Sequence, residues 1–453
     1  MFINAEKLNE AMGFVTSIAN LDKTPPGIMF NIKDDSIVVI YSTGDRAIQH
    51  EIPAAVAEDE VHGSVIFDYQ RLADTLLGSK ASGIIKVNDV EFKLDKKPDG
   101  SGIANIKIVK AIDIPGNEGE EDTSRVVSVN NHELSWWSPE TATLKQKALT
   151  KPVCEDIFDE NGAETWDSSE FLGMLNGVNS GDAKVVYVSP NINGAFENNT
   201  NSLVYTKSKT EFKHALVMTT NIIPSLTTIF SKTDDMMVNT IENDGKLFAC
   251  IFFTPDHKTA VYTKAGTRVQ THGVRMQQNQ KIAYRDLQAS FMSDVLKDIL
   301  KSAVSLNSAV NGVIKFVPSD DGVNMVITAE NSGASVNNTY NVACTSFNSN
   351  IEVDENSDHI MKFTVNLKQF YDEISRNKCN YTALDFFCGP DRTYMRIGFF
   401  DIEEAARVRE QVITKKRNEM SEAGEAVDLT LTSDEKMDMR DNYIETFIYI
   451  VTV

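Results

Sequence analysis

Self-similarity constrains this chain of 453 residues more than any other property, because a unit that recurs along a chain limits the architecture before single residues are interpreted. One pattern returns six times: a short strand, a cap or turn residue, an amphipathic helix, then several alternating strands. The first copy reads MFIN then AEKLNEAMGFVTSIA, with Leu8, Met12, Val15 and Ile18 on one helical face, and continues as GIMFNIK, SIVVIYS and RAIQHEI. The second opens SVIFD then YQRLADTLLGS, with Leu72, Leu76 and Leu77 apolar, and predicts strands GIIKVN, VEFKLD and ANIKIVKAI. The third begins ETWDSSEFLGMLNGV and the fourth HALVMTTNIIPSLTTIFSK, each followed by three short strands. The fifth centres on FMSDVLKDILKSAV and the sixth on MKFTVNLKQFYDEISRNK, with FIYIVTV as the last strand. Period two marks the strands and a period near 3.6 marks the helices.

A helix over one small antiparallel sheet cannot bury its own apolar surface, but two such modules side by side can. The class expected is therefore α+β, with helices segregated to one face and six modules paired into three domains. The boundaries expected are 1–116, 117–270 with an N-terminal insertion, and 271–453 with an insertion near 403–440. The stretch 117–163 follows no module pattern. The first half of the later insertion reads as an exposed charged helix. On the fifth helix, Phe291, Met292, Val295, Leu296, Ile299 and Leu300 are expected to be buried. On the sixth, Leu367, Phe370, Tyr371 and Ile374 take that role.

Charge sharpens the question of function. The chain holds 44 Lys and Arg against 65 Asp and Glu, a formal charge of −21. Phosphate is repelled by a uniformly acidic surface, so nucleic acid is excluded as a partner unless the cations are segregated. Most of the repeated helices present Lys or Arg away from their own sheet. Lys7 lies on the first helix, Arg71 and Lys80 on or near the second, and Lys232 after the fourth. Lys297 and Lys301 share a stripe of the fifth, and Lys368, Arg376 and Lys378 belong to the sixth. For any one of them the ordinary role is a solvated face or a helix C-terminal cation complementing the dipole. As a set on a helical surface they attract phosphate without reading bases, and no aromatic residues are interleaved to stack them.

Six such modules on one acidic chain resemble the bacterial-type sliding clamp, the β subunit of replicative DNA polymerase. The likeness rests on the opening MFINAEKLNEAM, on SVIFDYQRLADTLLG, on NIKIVKAIDIPG, on MKFTVNLKQFYDEI, and on an apolar strand at the carboxyl end. It covers most of modules one, two, five and six, less of three and four, and neither insertion. That divergence would suit a bacteriophage member. The resemblance implies a ring of two chains around double-stranded DNA, helices inside and sheets outside, in the cytoplasm (the host's, if viral). It implies DNA contacts from the cations named above and from Lys23. It implies a dimer interface joining the strand of Ile106 and Ile108 to the fifth helix near Ile299, Leu300 and Val304. It also implies that polymerase and clamp loader dock by short apolar peptides on Val204, Thr206, Met218, Ile222, Ile223, Tyr449, Val451 and Val453. Core packing is the ordinary role of such apolar residues.

No catalytic motif competes with this reading: the chain has no GxxxxGK[ST], GxGxxG, HExxH or GxSxG. Seven histidines are scattered, and the five cysteines form no CxxC pair, as expected of reduced thiols in a cytosol. No catalytic residue, metal or cofactor is expected. No basic-then-apolar leader opens the chain and no run approaches a membrane span. The competing classes are a β-rich self-assembling structural component of a virion, without a DNA role, and a hydrolase with a dispersed site.

Overall fold

The computed structural model describes residues 1–22, 27–57, 60–77, 85–114, 123–143, 157–178, 185–190, 193–198, 202–208, 210–265, 284–306, 311–329, 338–349, 363–375, 377–388, 393–423, 429–432, 435–436, 439, 443–444 and 446–451. Within them the repeat is regular. Module one is β1 (Phe2–Asn4), α1 (Ala5–Ala19), β2 (Gly27–Ile32), β3 (Ser36–Ser42) and β4 (Arg46–Ala55). Module two is β5 (Gly63–Asp68), α2 (Tyr69–Leu77), β6 (Ile85–Lys96), β7 (Ser101–Ile114) and β8 (Thr123–Trp137). Module three is β9 (Glu164–Asp167), α3 (Ser168–Val178), β10 (Val185–Ser189), β11 (Gly194–Asn198) and β12 (Ser202–Lys207). Module four is β13 (Leu216–Thr219), α4 (Ile223–Phe230), β14 (Asp235–Asn243), β15 (Lys246–Phe253) and β16 (Thr259–Lys264). Module five is β17 (Tyr284–Met292), α5 (Ser293–Leu306), β18 (Asn311–Ser319), β19 (Gly322–Ala329) and β20 (Asn338–Ala343), trailed by β21 (Ser346–Ser349). Module six is β22 (Phe363–Asn366), α6 (Leu367–Ser375), β23 (Tyr381–Cys388), β24 (Thr393–Phe400) and β25 (Thr446–Val451), with α7 (Ile402–Ala423) between the last two strands.

Local chemistry repeats with the topology. In four modules the strand before the helix ends in Asn or Asp, whose side chain accepts from the backbone N–H three residues on. The pairs are Asn4 with Lys7, Asp68 with Arg71, Asp167 with Glu170 and Asn366 with Gln369, at 2.7–3.1 Å. Each cap satisfies one of the donors left open at a helix start, worth about 1 kcal/mol. Module four instead enters α4 through a 3-10 turn with Pro at the start of the helix.

The chain divides into two compact units, residues 1–176 with 212–267, and residues 177–211 with 268–453. The expected boundary at 116/117 falls inside the first unit. In that unit the strands run β1-β6-β7-β8-β5-β2-β3-β4-β16-β15-β14-β9. β4 has neighbours on both edges: β3 on one, and on the other β16 (His50 opposite Thr259) and then β1 (Ala54 opposite Ile3). Strands β1 to β8 therefore close on themselves around a core in which the rings of Phe30, Phe67 and Phe92 stand 5.3–6.5 Å apart. Leu8, Met12, Val15 and Ile18 of α1 are buried against this sheet, as their spacing predicts.

Module two departs from the expectation. GIIKVN and VEFKLD are one strand, β6, with a bulge between Val87 and Asp89, not two. Its last strand, β8, comes from the stretch that follows no pattern, and pairs with β7 from Ile114 opposite Thr123 to Ser101 opposite Trp137. Trp136 stands opposite Gly102 in that register, and a Cβ at Gly102 would collide with its indole and with the Asp95 carbonyl. Only glycine fits there.

In the second unit, one sheet includes β10-β11-β12-β25-β24-β23-β17-β21 and another is β20-β19-β18-β22. Phe316 and Phe386 meet at 5.4 Å and Phe363 stacks on Phe386 at 4.1 Å, joining the two. Of the residues expected to be buried on that helix, Phe291, Leu296 and Leu300 are, but Met292 and Val295 are about half exposed at 51% and 46%. Phe291 and Met292 are the last two residues of β17, where successive side chains point to opposite faces, and Val295 lies on an exposed side of α5. Leu367, Phe370 and Ile374 of α6 are buried, and Tyr371 is half-buried. The exposed charged helix expected in the later insertion is α7.

Candidate nucleic-acid interface

Three of the ten sequence-predicted cations, Lys23, Lys80 and Arg376, lie outside the described residues. In the first unit the helices stand in the order α2, α1, α4, α3. Tyr69 on α2 donates to Thr16 on α1 at 3.2 Å, Ser225 on α4 donates to the Ser17 carbonyl at 2.8 Å, and Asn176 on α3 donates to Thr227 on α4 at 3.3 Å. This row carries Lys7 and Arg71, both exposed, with Lys232 just beyond α4. Lys7 and Lys232 are brought together: both ammonium groups bind Glu10, at 3.3 and 2.9 Å. Partial burial alone would raise the Glu10 pKa. The hydrogen bonds and charges of Lys232 and Lys7 outweigh it and hold the carboxyl below its usual value. A depressed carboxylate pKa stabilises above the unfolded value, so this α1–α4 link is present at neutral pH and is lost as acid protonates Glu10.

The second unit carries the rest. Lys301 and Lys378 are exposed. Lys368 is paired with Asp372 at 2.7 Å, one turn along α6. Lys297 is 22% exposed, not outward on the opposite stripe: it donates to the Asn377 carbonyl at 2.8 Å and lies 3.6 Å from Asp294. It ties α5 to the segment after α6.

Two features of this set were not expected. None of helices α1 to α6 has a basic residue in its last turn, so the dipole does not explain the cations that lie within these helices. Lys7, Arg71 and Lys368 instead occupy the second or third position of their helices. A cation there opposes the dipole at a cost of about 0.3–1 kcal/mol. A bound phosphate reverses that sign, since it is attracted by both the side chain and the open N–H groups of the first turn. Second, the six helices contain five Lys or Arg against eight Asp or Glu. The helical surface is mixed in charge, not a cationic stripe set against an acidic exterior.

The strand expected at the interface is β7. β7 is flanked on both edges by β6 and β8, and Ile106 and Ile108 are buried at 1% each. Leu300 is buried, and Ile299 and Val304 are half-buried. Of the docking set, Met218, Ile222 and Ile223 are core residues of the first unit, fully buried. Val204 and Thr206, also buried, lie on β12 opposite Ile448 and Thr446 of β25. Tyr449 and Val451 are on that same strand, Tyr449 opposite Leu203 and Val451 opposite Tyr394. Val453 is outside the described residues. Among the described residues no group of three or more His, Cys, Asp or Glu is placed to hold a metal ion. None of the described helices is long and apolar enough to cross a membrane.

Six strand–helix–three-strand modules in a mixed α/β chain give the fold of the DNA sliding clamps. The chain matches the DNA polymerase III subunit beta of Pseudomonas aeruginosa with a TM-score of 0.61 and 10% identity, over 100% of this chain and 99% of that one. A DNA polymerase sliding clamp of Bacillus subtilis matches at TM-score 0.60 and 10% identity, over 100% and 98%. A beta clamp of Helicobacter pylori matches at 0.57 and 11%, over the whole of both chains. No family model matches the sequence. Among curated proteins, a dye-decolorizing peroxidase of Mycolicibacterium paratuberculosis is 21% identical over 164 residues, which is 36% of this chain and 41% of that protein.

Proposed function

We propose that this chain is a DNA sliding clamp: two copies close around duplex DNA and tether a replicative polymerase, without catalysis of their own. The observation that carries the reading is the likeness in fold to clamps over the whole chain. A fold alone does not assign an activity, and the first-turn cations supply the link to phosphate. In this reading the modules pair into three domains with helices facing the DNA. Lys7, Arg71, Lys232, Lys301, Lys368 and Lys378, with Lys23, Lys80 and Arg376, touch the backbone, and Lys297 positions α5. Mixed charge on the helices fits a hold that comes from enclosure. Weak contacts then suffice, and they permit sliding. The polymerase and the loader dock through short apolar peptides beside β12 and β25.

The test is topological. Protein loaded on a closed DNA circle should be retained at a salt concentration that strips ordinary phosphate binders, and cutting the circle should release it. Equal loss from circle and linear DNA would falsify the proposal.

The second copy has an available edge. Among the described residues, β8 meets β5 only at Trp136 and Trp137, so its stretch before Trp136 has an unpaired side. Val126, Val127 and Val129 are exposed there at 45–56%, and no Pro or Lys blunts the strand. Such an edge recruits another strand. β8, in place of β7, is the strand we assign to the dimer contact. Replacing Val127 and Val129 with Lys should leave each chain folded by circular dichroism and convert the dimer to monomer in sedimentation. A dimer that survives both substitutions sinks the assignment.

A further inference from the structure

β24 and β25 are hydrogen-bonded neighbours, from Gly398 opposite Phe447 to Tyr394 opposite Val451. A turn of a few residues would connect them. Residues 401–445 stand between them in sequence instead, with α7 first. The described residues that follow α7 are fastened at two points. At the far end, Lys416 Nζ donates to the Thr430 carbonyl and to the Glu435 carboxylate, all at 2.9 Å. Glu435 is itself held by a reciprocal cap with Thr432, whose N–H it accepts at 2.7 Å and to whose hydroxyl its own N–H donates at 3.2 Å. At the near end, the Tyr443 ring packs on Phe400 at 4.9 Å, and Ile444 is buried over Gly398.

Between these fastenings lies a groove of about 490 Å³, within the range of sites that hold small ligands and side chains. Ile402, Ala405, Ala406 and Ile413 of α7 line one side, and Met439 and Tyr443 the other. Ile402 is 56% exposed, so apolar surface stands open at its mouth. Arg409 and Arg417 also line it, against one carboxylate, Glu410. Two guanidinium groups on one groove are a local reversal of sign in a chain of charge −21. They lie eight residues apart on the helix, roughly 12 Å along its axis at 1.5 Å per residue. An extended peptide covers that distance in about four residues, and Arg favours carboxylates through paired hydrogen bonds.

We propose that this groove is a docking site for a short partner segment with an apolar centre and acidic residues at either side. The two carboxylates meet Arg409 and Arg417, and the apolar side chains between them fill the space bounded by Ile413, Met439 and Tyr443. The site belongs to the insertion alone and does not rest on the clamp reading.

The probe is a fluorescein-labelled peptide of about eight residues carrying two acidic residues four apart around leucine and phenylalanine, followed by anisotropy on the full chain. Saturable binding should appear, and Arg409→Glu with Arg417→Glu should weaken it at least ~10-fold, as the removal of two charge-assisted pairs implies. Ile413→Asp should do the same. Arg407→Glu, on another side of α7, should leave binding unchanged, and none of the variants should alter the far-ultraviolet circular dichroism. A peptide with lysines in place of the acids should not bind. No saturation with the unmodified chain, or equal affinity for the double Arg variant, overturns the proposal. Retention on DNA circles, measured in parallel, should be the same for wild type and R409E/R417E, which keeps the outcome separate from the clamp test.

Discussion

Reversing charge at Lys7, Arg71 and Lys368 together is expected to lower loading onto duplex DNA at least ~10-fold at moderate salt and to flatten its salt dependence. Each phosphate that is no longer neutralised should take about 0.9 from the slope of log affinity against log salt. The folded state should lose little: the three side chains are exposed, and the dipole favours a carboxylate in the first turn of a helix, which offsets the loss of the Lys7–Glu10 and Lys368–Asp372 pairs. Stability within about 1 kcal/mol of wild type, with loading lowered at least ~10-fold, is the signature of residues kept for a ligand. Glu10→Gln should act in the opposite direction. It removes the carboxylate shared by Lys7 and Lys232, leaves two uncompensated ammonium groups on the α1–α4 surface, and should raise association about 2- to 5-fold. Filter binding across a salt series measures both. Loading by the triple variant at the wild-type level would remove those residues from the DNA-facing set.

Arg396→Met is expected to have the largest effect on stability, a loss of about 3–5 kcal/mol. Arg396 on β24 lies directly opposite Asp385 on β23, and its Nε donates to Oδ2 at 2.8 Å. Both are interior, at 5% and 1% exposure. Removing the guanidinium leaves a carboxylate buried without its counter-charge, which is far costlier than the pair is worth. Replacing both at once, Asp385→Leu with Arg396→Met, should recover most of the loss, because an apolar pair needs no solvation. The three tryptophans, Trp136, Trp137 and Trp166, all belong to the first unit. The single variant should therefore shift urea unfolding followed by far-ultraviolet circular dichroism more than unfolding followed by tryptophan emission. A double variant as unstable as the single one would mean that the site needs its charges.

The modules were legible because four of the six spell their own boundaries. An apolar run ending in Asn or Asp, then a helix with Leu or Met every third or fourth position, marks modules one, two, three and six, and the caps at Asn4, Asp68, Asp167 and Asn366 form as that spelling requires. β8 was not legible. Between Ser128 and Ser135 it alternates polar residues on both faces, since neither face is deeply buried, and period two disappears where nothing distinguishes inside from outside. The bulge in β6 misled in the opposite way, splitting one strand into two at Asn88. On α5 the apolar residues were identified but the face drawn too wide, because a helix buries a stripe and Val295 lies beyond it. The site was legible only as a set of cations. Which of them carry a partner depends on pairings such as Lys232 with Glu10, 222 residues apart, and no local pattern encodes that distance.

The circuit formed by β1 to β8 has a mechanical consequence. A sheet with two lateral ends can be peeled strand by strand, whereas a closed one has to be cut before any strand can leave. Its weakest stitches are the shortest ones, the two residue pairs joining β8 to β5 and the two joining β1 to β4. Force or solvent entering this unit would open a seam at one of those two places first, and the remaining strands would then unroll as a single ribbon.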